Sequence, residues 1–219
     1  MKKIPWKTLE PEDITPDFIQ ESARYLGHFH LWMSSFDTQT YSEMNEYKKM
    51  KIYRETAWTY ITQTSDREIK EIYDTMVLFS QWLYENPLLP VGVIHGDPSF
   101  KNFLVDEENM ICGLIDYDML SVNTLLWDIA DMIRGYLKIK IFDTKTFHKL
   151  LDSYTQLRPL TQWEQDNLKI YCQMMVLDTG FRYIISYFDN SNLLWRRKDC
   201  MMKAQRCTEE FMKLDVLFT

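Results

Sequence analysis

The 219-residue chain has four cysteines, Cys112, Cys172, Cys200 and Cys207, and no two stand at Cys-x-x-Cys spacing. With no His cluster beside them, they argue against a zinc site and against a disulfide framework; reduced structural thiols in a cytoplasmic protein are the expectation. Glycine is scarce, at positions 27, 92, 96, 113, 135 and 180 only, so no Gly-x-Gly-x-x-Gly exists and a phosphate cradle of that form is excluded. Seven prolines and six glycines also argue against long flexible linkers. No segment approaches the roughly 18 consecutive apolar residues of a membrane-spanning helix. The start, Met1-Lys2-Lys3-Ile4-Pro5-Trp6-Lys7, carries charge without a following apolar stretch, so secretion and membrane insertion are both disfavoured. Lys and Arg number 25 against 32 Asp and Glu, a net charge of −7. Without a basic stripe to neutralise phosphates, no nucleic-acid partner is expected, and an acidic surface favours a cationic substrate such as an amine.

What is present is a hydrophobic fraction of 46%, with 15% aromatic residues, enough at this length to bury one good core; residues 1–219 read as a single domain. Helical signals dominate. Thr15-Pro16 supplies an N-cap and a first-turn proline, after which Ile19, Ala23, Leu26, His30 and Met33 recur at spacings of three and four. His30 on that face reads as a helix-packing histidine. Thr40-x-x-Glu43, Ser65-x-x-Glu68 and Thr161-x-x-Glu164 are capping-box patterns that predict helices over 41–58, 66–85 and 162–188. A further helix is expected after Asp143. Leu194, Met201, Met202, Cys207 and Phe211 predict another toward the end of the chain.

The centre of the chain is different. Pro90-Val91-Gly92-Val93-Ile94 is short, apolar and bounded by turn formers, which suits a buried strand leading into His95-Gly96-Asp97-Pro98-Ser99-Phe100-Lys101-Asn102. Phe103-Leu104-Val105 and Ile111-Cys112-Gly113-Leu114-Ile115 read as two more strands joined by the polar Asp106-Glu107-Glu108-Asn109, a hairpin that brings Asn102 near Asp116. His-Gly-Asp followed by Asn102, with Asp116 fourteen residues further on, is the residue set a phosphoryl transfer needs. One carboxylate orients and deprotonates the attacking hydroxyl, and hard oxygen ligands hold Mg²⁺ against the phosphates. Asp118 is either a further metal ligand or a polar strand end, and Lys101 either faces a phosphate or is solvated. Ser121 to Thr124 reads as a polar turn before an apolar helix over Leu125–Tyr136.

His95, Gly96, Asp97 and Asn102 resemble the catalytic loop of the aminoglycoside phosphotransferase, choline kinase and homoserine kinase-like enzymes, and Asp116 resembles their metal-binding Asp. The resemblance implies a mainly helical α+β fold, the C-terminal lobe of a protein-kinase-like enzyme, with a small central hairpin and strand set carrying the catalytic loop. It implies ATP and Mg²⁺ as cofactors and a small polar hydroxyl-bearing molecule, such as an amino alcohol, aminoglycoside or sugar, as substrate. Asp97 would be the base and Asn102 and Asp116 the metal ligands. His95 would organise the loop, and Asp128, in the run Asp128-Ile129-Ala130, would brace it through backbone amides. The helix containing Leu26-Gly27-His28-Phe29-His30 resembles the one that follows the hinge between lobes, and Asp178 to Tyr183 loosely resembles a helix bordering the substrate cleft, although a surface or core-edge helix is the expectation there. The chain departs from the family at its start, where no strand-rich, ATP-clamping N-terminal lobe is legible. The expectation is therefore a lobe completed by a separate chain or within a homo-oligomer; the alternative is a catalytically silent lobe acting as a binding or partner protein.

Overall fold

Thr15 and Pro16 open the first long helix, α1 (Pro16–Met33), as their chemistry dictates. The Thr15 hydroxyl accepts a hydrogen bond from the Phe18 amide at 3.1 Å, and Pro16 sits in the first turn, where its missing N–H is no loss. The structure, a computed structural model, describes residues 7–40, 46–83, 89–189 and 197–219. Among these lie six further helices, α2 (Glu46–Ile61), α3 (Arg67–Ser80), α4 (Leu126–Leu137), α5 (Thr144–Thr155), α6 (Gln162–Phe188) and α7 (Arg197–Leu217). Four short strands, β1 (Val91–Ile94), β2 (Phe103–Val105), β3 (Ile111–Leu114) and β4 (Ser121–Thr124), complete the set. The architecture is α+β and mainly helical, as the sequence leads one to expect.

Several caps are the anticipated ones. Thr161 and Glu164 form a reciprocal box: the Thr161 hydroxyl accepts from the Glu164 amide at 3.3 Å, and the Glu164 carboxylate accepts from the Thr161 amide at 2.9 Å. Asp143 caps α5 by accepting from the Thr146 amide at 2.8 Å. Other expectations are corrected. The cap of α3 is Asp66 rather than Ser65, because its carboxylate takes the Ile69 amide at 3.5 Å and also the Tyr187 hydroxyl, two donors at once. That helix ends at Ser80, short of the expected 85. Ser121 to Thr124 is not a turn but strand β4, paired antiparallel with β1 in the register Val91↔Thr124 to Ile94↔Ser121. Its polar residues resemble turn residues locally, whereas Ser121 and Thr124 are in fact buried by that pairing. Glu43, the second member of the box at Thr40, and Leu194 fall outside the described residues.

The chain divides into two compact units, one within Met1–Met44, Leu88–Leu168 and Phe218, the other within Asn45–Pro87, Lys169–Leu217 and Thr219. The first holds α1, the four strands, α4, α5 and the start of α6. In it α1 packs on α5 and against β1 and β3. β2 and β3 pair through Phe103↔Leu114, and Lys7 adds a bridge to Val105 on the free edge of β2, with amide-to-carbonyl bonds of 3.1 and 2.9 Å. Phe103, fully buried, takes the ring edges of Phe18 and Tyr25 from α1 at 6.3 and 6.1 Å. Phe100, Tyr136, Phe142 and Phe147 continue the aromatic core, and the Tyr136 hydroxyl finds Ser22 at 2.6 Å. Burying rings of this size contributes roughly 1.5–3 kcal/mol each, so the hairpin is held to α1 chiefly by Phe103.

The second unit is helical. α3 packs on α2 and α7, with Phe79 and Phe211 stacked at 4.3 Å. Gly180 on α6 sits at a close approach, where a Cβ would push aside the flexible end of Met76 and lie 3.1 Å from the Cys207 Cβ. Arg197 lies over the Tyr187 ring at 4.2 Å.

Truncating Phe103 to Ala removes the ring that anchors the β2–β3 hairpin to α1. Chemical denaturation should show a loss of about 3–5 kcal/mol; a loss below about 1 kcal/mol would mean the hairpin is held by other contacts.

Candidate active site

β1 is short and its last two residues, Val93 and Ile94, are buried, so the chain leaves the core at His95 with its backbone amides still enclosed. Those amides need acceptors. Asp128, in the first turn of α4, supplies both: one carboxylate oxygen accepts from the His95 amide at 2.7 Å, the other from the Gly96 amide at 2.8 Å. Gly96 takes φ +87°, and a Cβ there would strike the Met119 carbonyl oxygen and stand 2.7 Å from the Met119 Cβ. Only glycine suits that turn. The buried His95 ring continues the pattern, because Nε2 donates to the Ile115 carbonyl at 3.1 Å while Nδ1 accepts the Asp97 amide at 3.3 Å. His95 thus ties the loop to the end of β3.

Asn102 ends a short 3-10 turn (Phe100–Asn102). Its Nδ2 donates to the Asp97 carbonyl at 2.8 Å, which orients the amide and leaves Oδ1 as an acceptor. Its own carbonyl takes the Ile115 amide at 2.9 Å, extending the β2–β3 ladder by one rung, so Asp116 comes one residue after the partner of Asn102. Asp116 is exposed and left-handed, φ 70° and ψ 61°, a costly conformation for a side chain other than glycine. The next residue explains how it is held: the Tyr117 ring stacks on Phe29 at 6.2 Å and lies 5.0 Å from the His95 ring. Asp118 is exposed on the following 3-10 turn (Tyr117–Met119), and Lys101 is exposed as well. Among the described residues no group of three or more His, Cys, Asp or Glu side chains gathers at metal-binding distance.

Asp97 is half-buried, and its carboxyl is held above the usual Asp range. Burial is the leading cause and the negative charge of Asp131 the next, opposed by Arg134, Asn102 and His95. Asp131 and Arg134 were not singled out from sequence. They lie one turn apart on α4, with Arg134 Nε and Nη2 both donating to Asp131 Oδ1 at 2.7 and 2.6 Å. The signal was there: Asp128 and Asp131 stand three apart in a helix whose one other charged residue is Arg134, which puts both acids on one face. His30 is also more than a packing histidine, since its Nε2 reaches Asp128 at 2.9 Å and its Nδ1 reaches the Tyr154 hydroxyl at 2.7 Å. Asp178 and Arg182, in the other unit, form an ion pair of 3.0 Å along α6.

Seen among solved structures, this fold is that of the protein-kinase-like small-molecule kinases. The choline kinase LicA from Streptococcus pneumoniae superposes with a TM-score of 0.64 at 15% identity, over 94% of this chain and 67% of that one. The amicoumacin kinase hAmiN, solved with AMP-PNP, Ca²⁺ and amicoumacin, gives 0.61 at 14% identity, over 97% and 64%. Aminoglycoside 2'-phosphotransferase-IIIa in its GDP complex gives 0.64 at 14%, over 94% and 69%. This chain thus spans about two thirds of the length of these proteins. Identities this low establish the fold alone. No curated protein sequence is significantly similar to this chain. The model of the phosphotransferase enzyme family (APH) matches residues 1–160, and the chain belongs to that family.

Replacing Gly96 with Ala forces a side chain into a left-handed turn against Met119, so the protein should lose about 1–3 kcal/mol of stability, measured by thermal or urea unfolding. A neutral substitution would show that the loop relaxes without cost.

Proposed function

We propose that this chain is the helix-rich lobe of an ATP-dependent phosphotransferase that transfers the γ-phosphoryl group to a hydroxyl of a small polar molecule. The observation that carries the reading is the ladder bond from the Ile115 amide to the Asn102 carbonyl, which puts Asp116 one residue after Asn102's partner, while the Asn102 side chain grips the Asp97 carbonyl. A base and two oxygen ligands thereby share one loop and one hairpin end. The enclosed, upward-shifted carboxyl of Asp97 suits the base: it orients the acceptor hydroxyl and takes its proton as the oxygen bonds to the γ-phosphorus and ADP departs. The Asn102 Oδ1 and the Asp116 carboxylate are hard oxygen donors and fit Mg²⁺, with nucleotide phosphates completing the shell. When bound, the ion would neutralise charge on the phosphates. Asp118 is retained as a further candidate ligand two residues on.

The nucleotide is supported by family membership and by the AMP-PNP and GDP complexes of the structural neighbours. An amine-bearing acceptor, such as an amino alcohol or an aminoglycoside, is supported by the net charge of −7 and by the substrates those neighbours are named for. A cytoplasmic setting is supported by four free cysteines, and no described helix is long and apolar enough to cross a membrane. A strand-rich ATP-clamping lobe, on a separate chain or in a homo-oligomer, belongs to the proposal.

Two measurements test it. Asp97→Asn should lower kcat by roughly 10²-fold or more with nucleotide affinity retained. Because the folded Asp97 carboxyl sits above its unfolded value, its charge costs stability, and the cost is largest once pH has risen past the folded value; the variant should melt no lower than the parent at neutral pH. For the same reason activity should fall on acidification at a pH above the ordinary Asp value of 3.8. Full activity in the folded variant excludes Asp97 as base. In calorimetric titration the chain by itself should bind ATP weakly; tight Mg²⁺-dependent binding would show that no further lobe is needed.

A further inference from the structure

The charge of −7 for the whole chain hides a local excess of the other sign. From Lys138 to Leu151 the sequence has four lysines, Lys138, Lys140, Lys145 and Lys149, with His148 among them and Asp143 as the one acid. These residues lie in the first unit, at the turn between α4 and α5 and along the first turns of α5, and every one is exposed. A buried row of rings carries them: Phe100, Tyr136, Phe142 and Phe147 follow one another at centroid steps of 6.1, 5.7 and 6.4 Å. With Ile139 and Phe142 turned into the core, Lys138 and Lys140 are left outside, and the Lys138 ammonium lies 5.1 Å from the centre of the Phe100 ring. Lys145 stands three and four residues before His148 and Lys149, so these three share one face of α5. Asp143 is tied down as the cap of α5 by the Thr146 amide at 2.8 Å. At the other end Phe100 carries the patch into the loop of the candidate site, because Lys101, also exposed, is the next residue.

We propose that this lysine edge docks the chain on the surface of an anionic lipid bilayer, with Ile141, 38% exposed between Lys140 and Phe142, seated among the headgroups. The chemistry of the patch selects that partner. Its cations are lysines and not arginines, and a flexible, strongly hydrated point charge suits a diffuse field of headgroups better than a fixed bidentate phosphate site. A nucleic acid requires exposed rings on which bases stack, whereas Phe100, Phe142 and Phe147 are each 1% exposed. An acidic protein requires large anchors at the centre of the contact, and Ile141 is the one exposed large apolar side chain between Lys138 and Leu151. Counting Lys101, the patch falls within the roughly four to eight cations typical of segments that bind anionic leaflets. The acidic remainder of the chain interferes little, because charges more than about 8–10 Å from a headgroup are screened at physiological salt. This is adsorption and not insertion, in keeping with the lack of any described helix able to cross a bilayer. Since Lys101 directly precedes Asn102, adsorption brings the loop that carries Asp97 to the lipid face. The docking does not rest on the phosphotransferase reading.

The test is flotation of the whole chain with vesicles of phosphatidylcholine alone or of phosphatidylcholine containing about 30% phosphatidylserine. The chain should float with the anionic vesicles and not with the neutral ones, and its affinity should drop at least about tenfold between roughly 50 and 300 mM salt. Neutralising two lysines, Lys140→Gln with Lys149→Gln, should weaken binding by roughly 10- to 30-fold, about fivefold for each charge. Ile141→Ser should weaken it by a smaller factor. A control pair with the same change in net charge on α7, Lys198→Gln with Arg206→Gln, should bind as the parent does. All these positions are exposed, and thermal melting checks that each variant is folded. Equal binding to neutral and anionic vesicles overturns the proposal, as does equal weakening in the patch and control pairs. So does a parent chain that ignores vesicles but binds polyglutamate or oligouridylate. If the Lys140 and Lys149 variant does not fold, unchanged binding in Lys145→Gln overturns it. None of these readouts involves phosphoryl transfer, so a chain that adsorbs but transfers no phosphate would support the docking surface while removing the proposed function.

Discussion

The carboxylate of Asp128 is the constraint on which the rest of the first unit turns. It is fully buried, and a buried carboxylate is tolerated only when its lone pairs are taken. The fold answers with backbone donors from the end of β1 and a ring nitrogen from α1. α4 must therefore start where β1 stops, and α1 must pass within reach of both. The β1–β4 pairing supplies the first condition, since β4 ends at Thr124 and α4 begins at Leu126. The packing of α1 on α5 and β1 supplies the second.

Around that carboxylate the chain carries unfavourable local features. Asp116 is left-handed, Gly96 turns against Met119, and Asp97 is drawn from water with Asp131 close by. Each costs stability by itself. They persist because the surroundings over-determine them: Tyr117 is pinned by Phe29 and His95, and Arg134 answers the charge of Asp131 from the same helix. Such concentration of strain and shifted charge around one loop and the neighbouring hairpin end supports the proposal that an active site lies there.

Membership in the phosphotransferase enzyme family and the fold shared with choline and aminoglycoside kinases agree with that picture at the level of architecture. Substrate choice is a separate matter, because side chains that line a cleft change while the loop and its bracing helix stay. On α4 the two acids differ within a few positions: Asp128 faces the backbone of the loop, while Asp131, one turn on, adds negative charge near Asp97.

Much of the chain was legible residue by residue. Helix starts at Thr15, Asp143 and Thr161 follow from hydroxyl and carboxylate groups within reach of amides three residues away, a relation that local sequence contains in full. So do the strands at Val91, Phe103 and Ile111, and the loop between the first two. Where the decisive partner lies far along the chain, local reading failed. Ser121 to Thr124 looked like a turn until β1 covered it, and Ser65 looked like a cap until Tyr187 gave Asp66 a second donor. His30 looked like packing until Asp128 and Tyr154 met its two nitrogens, 98 and 124 residues away in sequence. Short-range hydrogen bonding and hydrophobic period are properties of the sequence itself. Which buried polar groups answer one another is decided only when the helices pack and water is excluded.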